Sequence, residues 1–156
     1  MTYTTDPKDP RLGHGSDKEP GPQNPVYLVL SDEERAKGFV RPYRDAYVHK
    51  GRRVCGRFHK LESPLSAGQV AHVCSMEPGH EGDCTVYSAV TQPELDRLQK
   101  TGHLRGCDAL TTMARPLSET YACNPKFYGS TYCATCRMHR PVNEFVWDAD
   151  GKQVGS

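Results

Sequence analysis

The chain has 156 residues, 20 Lys/Arg against 19 Asp/Glu, a net charge of +1 and only 36% hydrophobic residues. This excludes a bulk polycation or polyanion, and the longest apolar run, residues 26–30, is far short of the roughly 20 residues that span a bilayer. The opening residues carry no apolar segment, so no secretory signal is expected, and no membrane partner.

Residues 1–25 hold five Pro, three Gly and a single Leu. Such a segment buries too little apolar area to offset its ordering entropy, so it reads as a disordered arm. Order is expected from residue 26, with 26–156 a single domain and sub-units 39–90 and 91–156 each organised around one metal ion. Residues 26–30 read as a short strand. Ser31-Asp-Glu-Glu34 is a capping-box pattern, so a short helix follows and Gly38 stops it. Residues 39–48 are aromatic and β-branched, and Pro42 limits them to an edge or broken strand. Residues 50–90 are rich in turn-forming Gly and Pro. Thr91-Gln-Pro-Glu94 starts a helix by three signals at once: a Thr cap, Pro in the first turn and Glu closing the box; Leu95 and Leu98 share a face and Gly102 ends it. A further helix is expected over 116–122, a strand over 144–147, and a closing turn at 148–151. Among the aromatic and sulfur side chains of this half, Met113, Phe127, Tyr128, Phe145 and Trp147 read as core.

Seven cysteines, an odd number, speak against a complete disulfide framework. With seven histidines (14, 49, 59, 72, 80, 103 and 139) they form a pool of metal ligands, and a structural zinc contributes roughly 10–16 kcal/mol of apparent binding energy that doubles as folding energy. A thin apolar interior needs such help. Cys133-Ala-Thr-Cys136 is a knuckle spacing that sets two thiolates for one tetrahedral Zn²⁺. His139 lies within reach, and Cys107, beside the flexible Gly106, supplies the distant thiolate. Site 1 is therefore expected as Cys107, Cys133, Cys136 and His139, with Cys123 the competitor for the fourth position. A redox Cys-x-x-Cys is the rival, disfavoured because Pro141 prevents a long helix from starting there. Site 2 is expected as Cys55, Cys74, His80 and Cys84, the loop 77–82 folding His80 back toward the ion shared by Cys74 and Cys84. His59 and His72 are alternates, and Cys55 joining Cys107, Cys133 and Cys136 is an open second partition. Two zinc ions are expected, one at the least. Four protein ligands close a coordination sphere, which marks a structural site and argues against an enzyme.

From residue 35 to residue 60, nine Lys/Arg face one acid, with Phe39, Tyr43, Tyr47 and Phe58 interleaved. Basic groups contact phosphates and aromatics stack on bases. Arg41, Arg44, Lys50, Arg52, Arg53 and Arg57 are thus candidate contacts to DNA or RNA, a solvated charged face being the plain alternative. No phosphate-binding Gly loop, His-Glu-x-x-His or deaminase spacing occurs, so no small-molecule substrate is inferred.

Several strings carry a resemblance: Gly106-Cys-Asp-Ala-Leu-Thr-Thr-Met113, Leu117-Ser-Glu-Thr-Tyr-Ala122, Asn124 through Cys133-x-x-Cys136-x-x-His139, Val142-Asn-Glu-Phe-Val-Trp147 and Val154-Gly-Ser156, with Gly38-Phe-Val-Arg-Pro-Tyr-Arg44 and Tyr47-Val-His49. Over about 60 residues the chain resembles a family of small, uncharacterised Cys/His-rich proteins encoded by tailed bacteriophages. The resemblance implies zinc ligation by Cys107, Cys133 and Cys136, with His139 following, and an origin in a phage acting in the host bacterial cytoplasm. The Cys55–Cys84 region does not share the pattern, and the family implies no mechanism. The combined expectation is a small zinc-stabilised, β-rich α+β fold, zinc-ribbon or knuckle-like. In function it reads as a non-enzymatic nucleic-acid-binding accessory protein, with a module that inhibits or redirects a host protein as the alternative and a zinc-dependent enzyme behind both.

Overall fold

A computed structural model describes residues 2–13 and 15–156. In chain order the elements are β1 (Thr2–Thr4), β2 (Val26–Leu28), α1 (Asp32–Ala36), β3 (Ala46–His49), β4 (Gly51–Arg53), β5 (Phe58–Lys60), β6 (Gln69–Cys74), β7 (Tyr87–Thr91), α2 (Gln92–Thr101), β8 (His103–Arg105), β9 (Leu110–Thr112), α3 (Arg115–Cys123), β10 (Ser130–Cys133), β11 (Met138–Pro141) and β12 (Phe145–Trp147). The result is a small β-rich α+β protein with few, short helices. None of the described helices is long and apolar enough to cross a membrane.

The chain forms two compact units. Unit 2 is Lys50–Gly106, inserted into unit 1, which combines the segment ending at His49 with Cys107–Ser156. This corrects the expected sub-units 39–90 and 91–156. The reason lies in α2: its Leu95 and Leu98 pack with Val54, Ala71, Val73, Val90 and Leu104 in one apolar cluster, so the helix belongs with the strands before it.

Unit 2 is built on the antiparallel sheet β5-β6-β7 and the pair β4-β8. Here local chemistry acts as the sequence predicts. The Thr91 side chain accepts from the Glu94 N–H, the Glu94 carboxylate accepts from the Thr91 N–H at 3.1 Å, and Gly102 closes α2 in the left-handed region at φ 77°. Unit 1 centres on the sheet β12-β3-β9, whose inner face gathers Tyr47, Phe145 and Trp147 with Tyr121 of α3, Cys133 and Val154. Residues 39–48 therefore do not form an edge strand: only Ala46–His49 is extended, and it is the middle strand, with Pro42 lying safely before it. The 148–151 turn is present, with the Trp147 N–H donating to Lys152 O and the Val154 N–H to Phe145 O.

The N-terminal segment differs from the disordered arm expected. β1 pairs in parallel with β2, Tyr3 opposite Tyr27. Further on, the Asp17 N–H donates to His139 O at 2.9 Å, the Gly21 N–H to Arg137 O at 2.7 Å, and the Tyr132 hydroxyl to Gly21 O at 2.7 Å. Hydrogen bonds to β2 and to the β10-β11 hairpin, not apolar burial, hold these residues, which is why a composition argument misses them.

Candidate metal centres

In unit 1, β10 ends at Cys133 and the chain turns back into β11 through a tight knuckle. The Cys136 N–H points at Cys133 Sγ (3.4 Å), the Arg137 N–H donates to Cys133 O (2.7 Å), and Arg137 adopts a left-handed φ of 56°. That conformation costs a non-glycine residue roughly 1–2 kcal/mol and persists only where its surroundings impose it. Cys107 approaches from the loop after β8. Its Sγ lies 3.5 Å from Cys133 Sγ. The fourth side chain is His49, the last residue of β3, with Nδ1 3.4 Å from Cys136 Sγ. The ligand atoms of His49, Cys107, Cys133 and Cys136 all lie within 4.8 Å of one another.

This corrects the expected site 1 at one position. His139 points away from the group: its Nδ1 is 2.7 Å from Asp17 Oδ2 and its Nε2 2.7 Å from the Tyr27 hydroxyl, with the ring buried. Cross-strand pairing explains the difference. His139 sits opposite Tyr132 in the hairpin, one position before Cys133, so its side chain is carried away from the thiols and toward the N-terminal segment. Cys123, the other contender, ends α3 with its thiol directed at the carbonyls of Arg35 and Gly38, 3.6 Å from each.

In unit 2, Cys55, Cys74, His80 and Cys84 gather with the same spread, each ligand atom within 4.8 Å of the others. Cys55 follows β4, its N–H donating to Met76 O at 2.8 Å. Cys74 ends β6 and is fully buried. The loop between β6 and β7 bends at Gly79 and Gly82, both at positive φ, and brings His80 Nε2 to 3.6 Å from Cys74 Sγ and from Cys84 Sγ. Cys55 and Cys84 sulfurs are 4.0 Å apart. The alternates stay outside: His59 and His72 face each other across β5-β6, ring centroids 5.5 Å apart. His103 turns its Nδ1 to Thr101 O, and His14 lies outside the described residues.

These distances discriminate between chemistries. A disulfide needs sulfurs about 2.05 Å apart, and all seven cysteines are free. Tetrahedral coordination at Zn–S of about 2.3 Å places sulfurs about 3.7 Å from one another, close to the 3.5 and 4.0 Å observed. Both groups offer three thiols and one imidazole, with a ligand from either end of a tight turn. Crowding works against ionisation of the thiols. A hydrogen bond with Cys74, then burial, pushes the Cys84 thiol up to about 11. Burial pushes Cys136 up to about 12 and also raises Cys107. The Arg57 N–H, by contrast, holds Cys55 down at about 7. A divalent cation favours the thiolate forms and so reverses the balance at both sites.

The outer contacts of the two imidazoles differ. His49 directs Nε2 at Glu144 Oε1 (2.9 Å), stacks on Phe145 with centroids 4.7 Å apart, and is buried with Glu144. Glu144 Oε2 accepts from Arg140 at 3.1 Å. Burial raises the Glu144 carboxyl, but the His49 and Arg140 hydrogen bonds outweigh it and the net shift is downward. Neither His49 nor Glu144 is marked as a site residue by any local spacing. His49 stands alone at the end of a strand, and only the insertion of unit 2 between it and Cys107 hints that the two belong together.

The basic candidates do not share one role. Arg44 is buried: its guanidinium pairs with Asp150 at 2.9 Å and lies 4.8 Å over the Trp147 ring, so it is a core residue and not a nucleic-acid contact. Arg41 is exposed and reaches Ser156 O at 3.2 Å. In unit 2 Arg52 donates to Ser75 O, Lys50 is half-buried and engaged, and Arg53 and Arg57 are exposed.

Fold and sites together define a small two-unit protein with two Cys₃His groups able to hold metal ions. No protein-family model, curated protein or solved structure matches the chain.

Proposed function

We propose that the protein is a non-enzymatic module stabilised by two zinc ions, with a zinc-ribbon-like knuckle at Cys133–Cys136, that acts by binding single-stranded nucleic acid through unit 2. The observation that carries the metal assignment is the pair of four-ligand clusters, each with atoms within 4.8 Å. Three thiolates and an imidazole suit Zn²⁺, and four protein ligands fill its sphere, the mark of a structural ion. The binding assignment draws on the surface of unit 2. Arg53, Arg57 and Phe58 (39% exposed) all lie on the surface of this unit, and His59 packs edge-on to the exposed Tyr87. Cationic groups together with exposed rings suit a phosphate backbone with unpaired bases. The phage origin and the host cytoplasm as its place of action belong to the same proposal, on the resemblance alone.

Elemental analysis tests the first part: two Zn per chain is the expected result, and none would end the proposal. Fluorescence anisotropy with a labelled oligonucleotide tests the second. Binding should weaken linearly in log–log plots against salt and fall when Arg53 and Arg57 become Ala. Salt-independent or absent binding would overturn it.

A host-protein partner is the second reading. It is favoured by Phe39, Val40 and Tyr43 of unit 1, exposed by 45%, 62% and 43%, with the two rings stacked 6.3 Å apart. Replacing these three by Ser should abolish a nuclease-resistant complex and leave oligonucleotide binding intact.

A further inference from the structure

The two clusters match in ligand type and in the burial of their thiols, each with one fully buried and two half-buried cysteines, and differ at the histidine and what surrounds it. In unit 1, Cys133 is fully buried and His49 is 2% exposed. The His49 ring is held on three sides. Nδ1 faces Cys136 at 3.4 Å, Nε2 faces Glu144 at 2.9 Å, and Phe145 covers one face. Glu144 is itself buried and anchored by Arg140. With Nδ1 given to a cation, Nε2 must carry the proton, and a buried carboxylate is its strongest acceptor. Such a carboxylate–histidine–metal chain selects the tautomer, stops the ring from rotating and makes the imidazole a better donor.

His80 has no such support. Among the described residues its Nδ1 meets the carbonyl of the adjacent Glu81 alone, at 3.4 Å in an exposed contact. Its neighbours Glu77, Pro78, Gly79, Glu81, Gly82 and Asp83 are all exposed, whereas Glu144 and Phe145 beside His49 are buried. Two glycines flank the histidine at positive φ, 74° and 78°. The exposed His80 loop can swing away from its ion without disturbing a packed core, which the buried His49 ring cannot do. Cys74, at the end of β6, is the one fully buried ligand of this set.

We infer that the two sites differ in kind: the His49 site retains its ion, the His80 site exchanges its ion with thiol-bearing or chelating ligands, and the buried Glu144 carboxylate is the positioning group that makes the difference. This rests on the metal reading above, and the two can fail separately. A protein that takes up no metal refutes the metal reading; a protein whose two ions leave together refutes only this inference.

The test uses the full chain loaded with two Zn²⁺, a chromogenic chelator in excess and cysteine alkylation read by peptide mass spectrometry. One equivalent should leave at least about tenfold faster than the other, with Cys55, Cys74 and Cys84 labelled while Cys107, Cys133 and Cys136 stay protected. Simultaneous release, or labelling in the reverse order, overturns the inference without any variant. Glu144→Gln should speed loss of the slow ion by about 10–100-fold, the range that such outer partners command, and leave the fast ion unchanged. A merely structural role is separated by Co²⁺ substitution. Glu144→Gln should move the visible ligand-field bands of the His49 site, whereas Val154→Ala, which opens a cavity in the same core, should leave them in place. Unmoved bands in Glu144→Gln would overturn the role assigned to Glu144.

Discussion

His49 and Cys107 bracket the whole of unit 2 in the chain, yet they meet: the Asp108 N–H donates to His49 O at 2.8 Å, the His49 N–H donates to Ala109 O at 3.2 Å, and both side chains enter one Cys₃His cluster. The ends of the insertion are thus tied by backbone hydrogen bonds and by a candidate metal site. A bound ion would close that loop as a cross-link does, and the gain from closing a loop grows with the logarithm of its length.

His49→Ala and His139→Ala should therefore behave oppositely. The first is expected to lower bound metal from two equivalents to one. The second removes two hydrogen bonds, to Asp17 and Tyr27, and should cost about 1–3 kcal/mol of stability with both equivalents retained. Elemental analysis beside urea denaturation checks both.

Removing metal should unfold unit 1, since Cys133 belongs to its apolar cluster. The single Trp of the chain, Trp147, sits in that cluster at 1% exposure. Its fluorescence should shift to the red on addition of a strong chelator and recover with Zn²⁺. An unchanged spectrum after complete removal would show that the core stands without the ion.

Arg44→Ala should cost about 1–3 kcal/mol, because it removes a buried guanidinium that rests on Trp147 and pairs with the exposed Asp150 carboxylate. The effect should depend on pH. The Lys152 N–H, and then Arg44, hold the Asp150 carboxyl below its usual range. A group depressed in the folded state adds stability above its unfolded value of about 4 and loses it as pH falls through the lower folded value. Wild type and variant should thus differ most at neutral pH and converge in acid. Oligonucleotide affinity should not change, since Arg44 does not reach the surface.

Thr91→Ala should destabilise unit 2 by about 1 kcal/mol, through loss of the reciprocal cap with Glu94. Amide exchange along α2 should quicken at its first turn before anywhere else in the helix.

What could be read from the residues alone was chiefly what is written within a few positions of itself, together with Cys55 and Cys107, which thiol chemistry joins to the nearer ligands across longer stretches of chain. The caps of α2, the Cys133–Cys136 knuckle and the grouping of Cys74, His80 and Cys84 depend on short stretches of backbone whose geometry follows from spacing and from Gly or Pro. Tertiary structure decided the rest. It chose His49 over His139, buried Arg44 against Trp147 and Asp150, tied Asp17 and Gly21 to a hairpin and split the chain at 49 and 107. Each of these is a contact between residues remote in sequence, which leaves no periodic or compositional trace. A histidine looks the same in the sequence whether its ring meets a thiol or an aspartate, and only the folded backbone brings one or the other within hydrogen-bonding reach, 3.4 Å for His49 and Cys136 and 2.7 Å for His139 and Asp17.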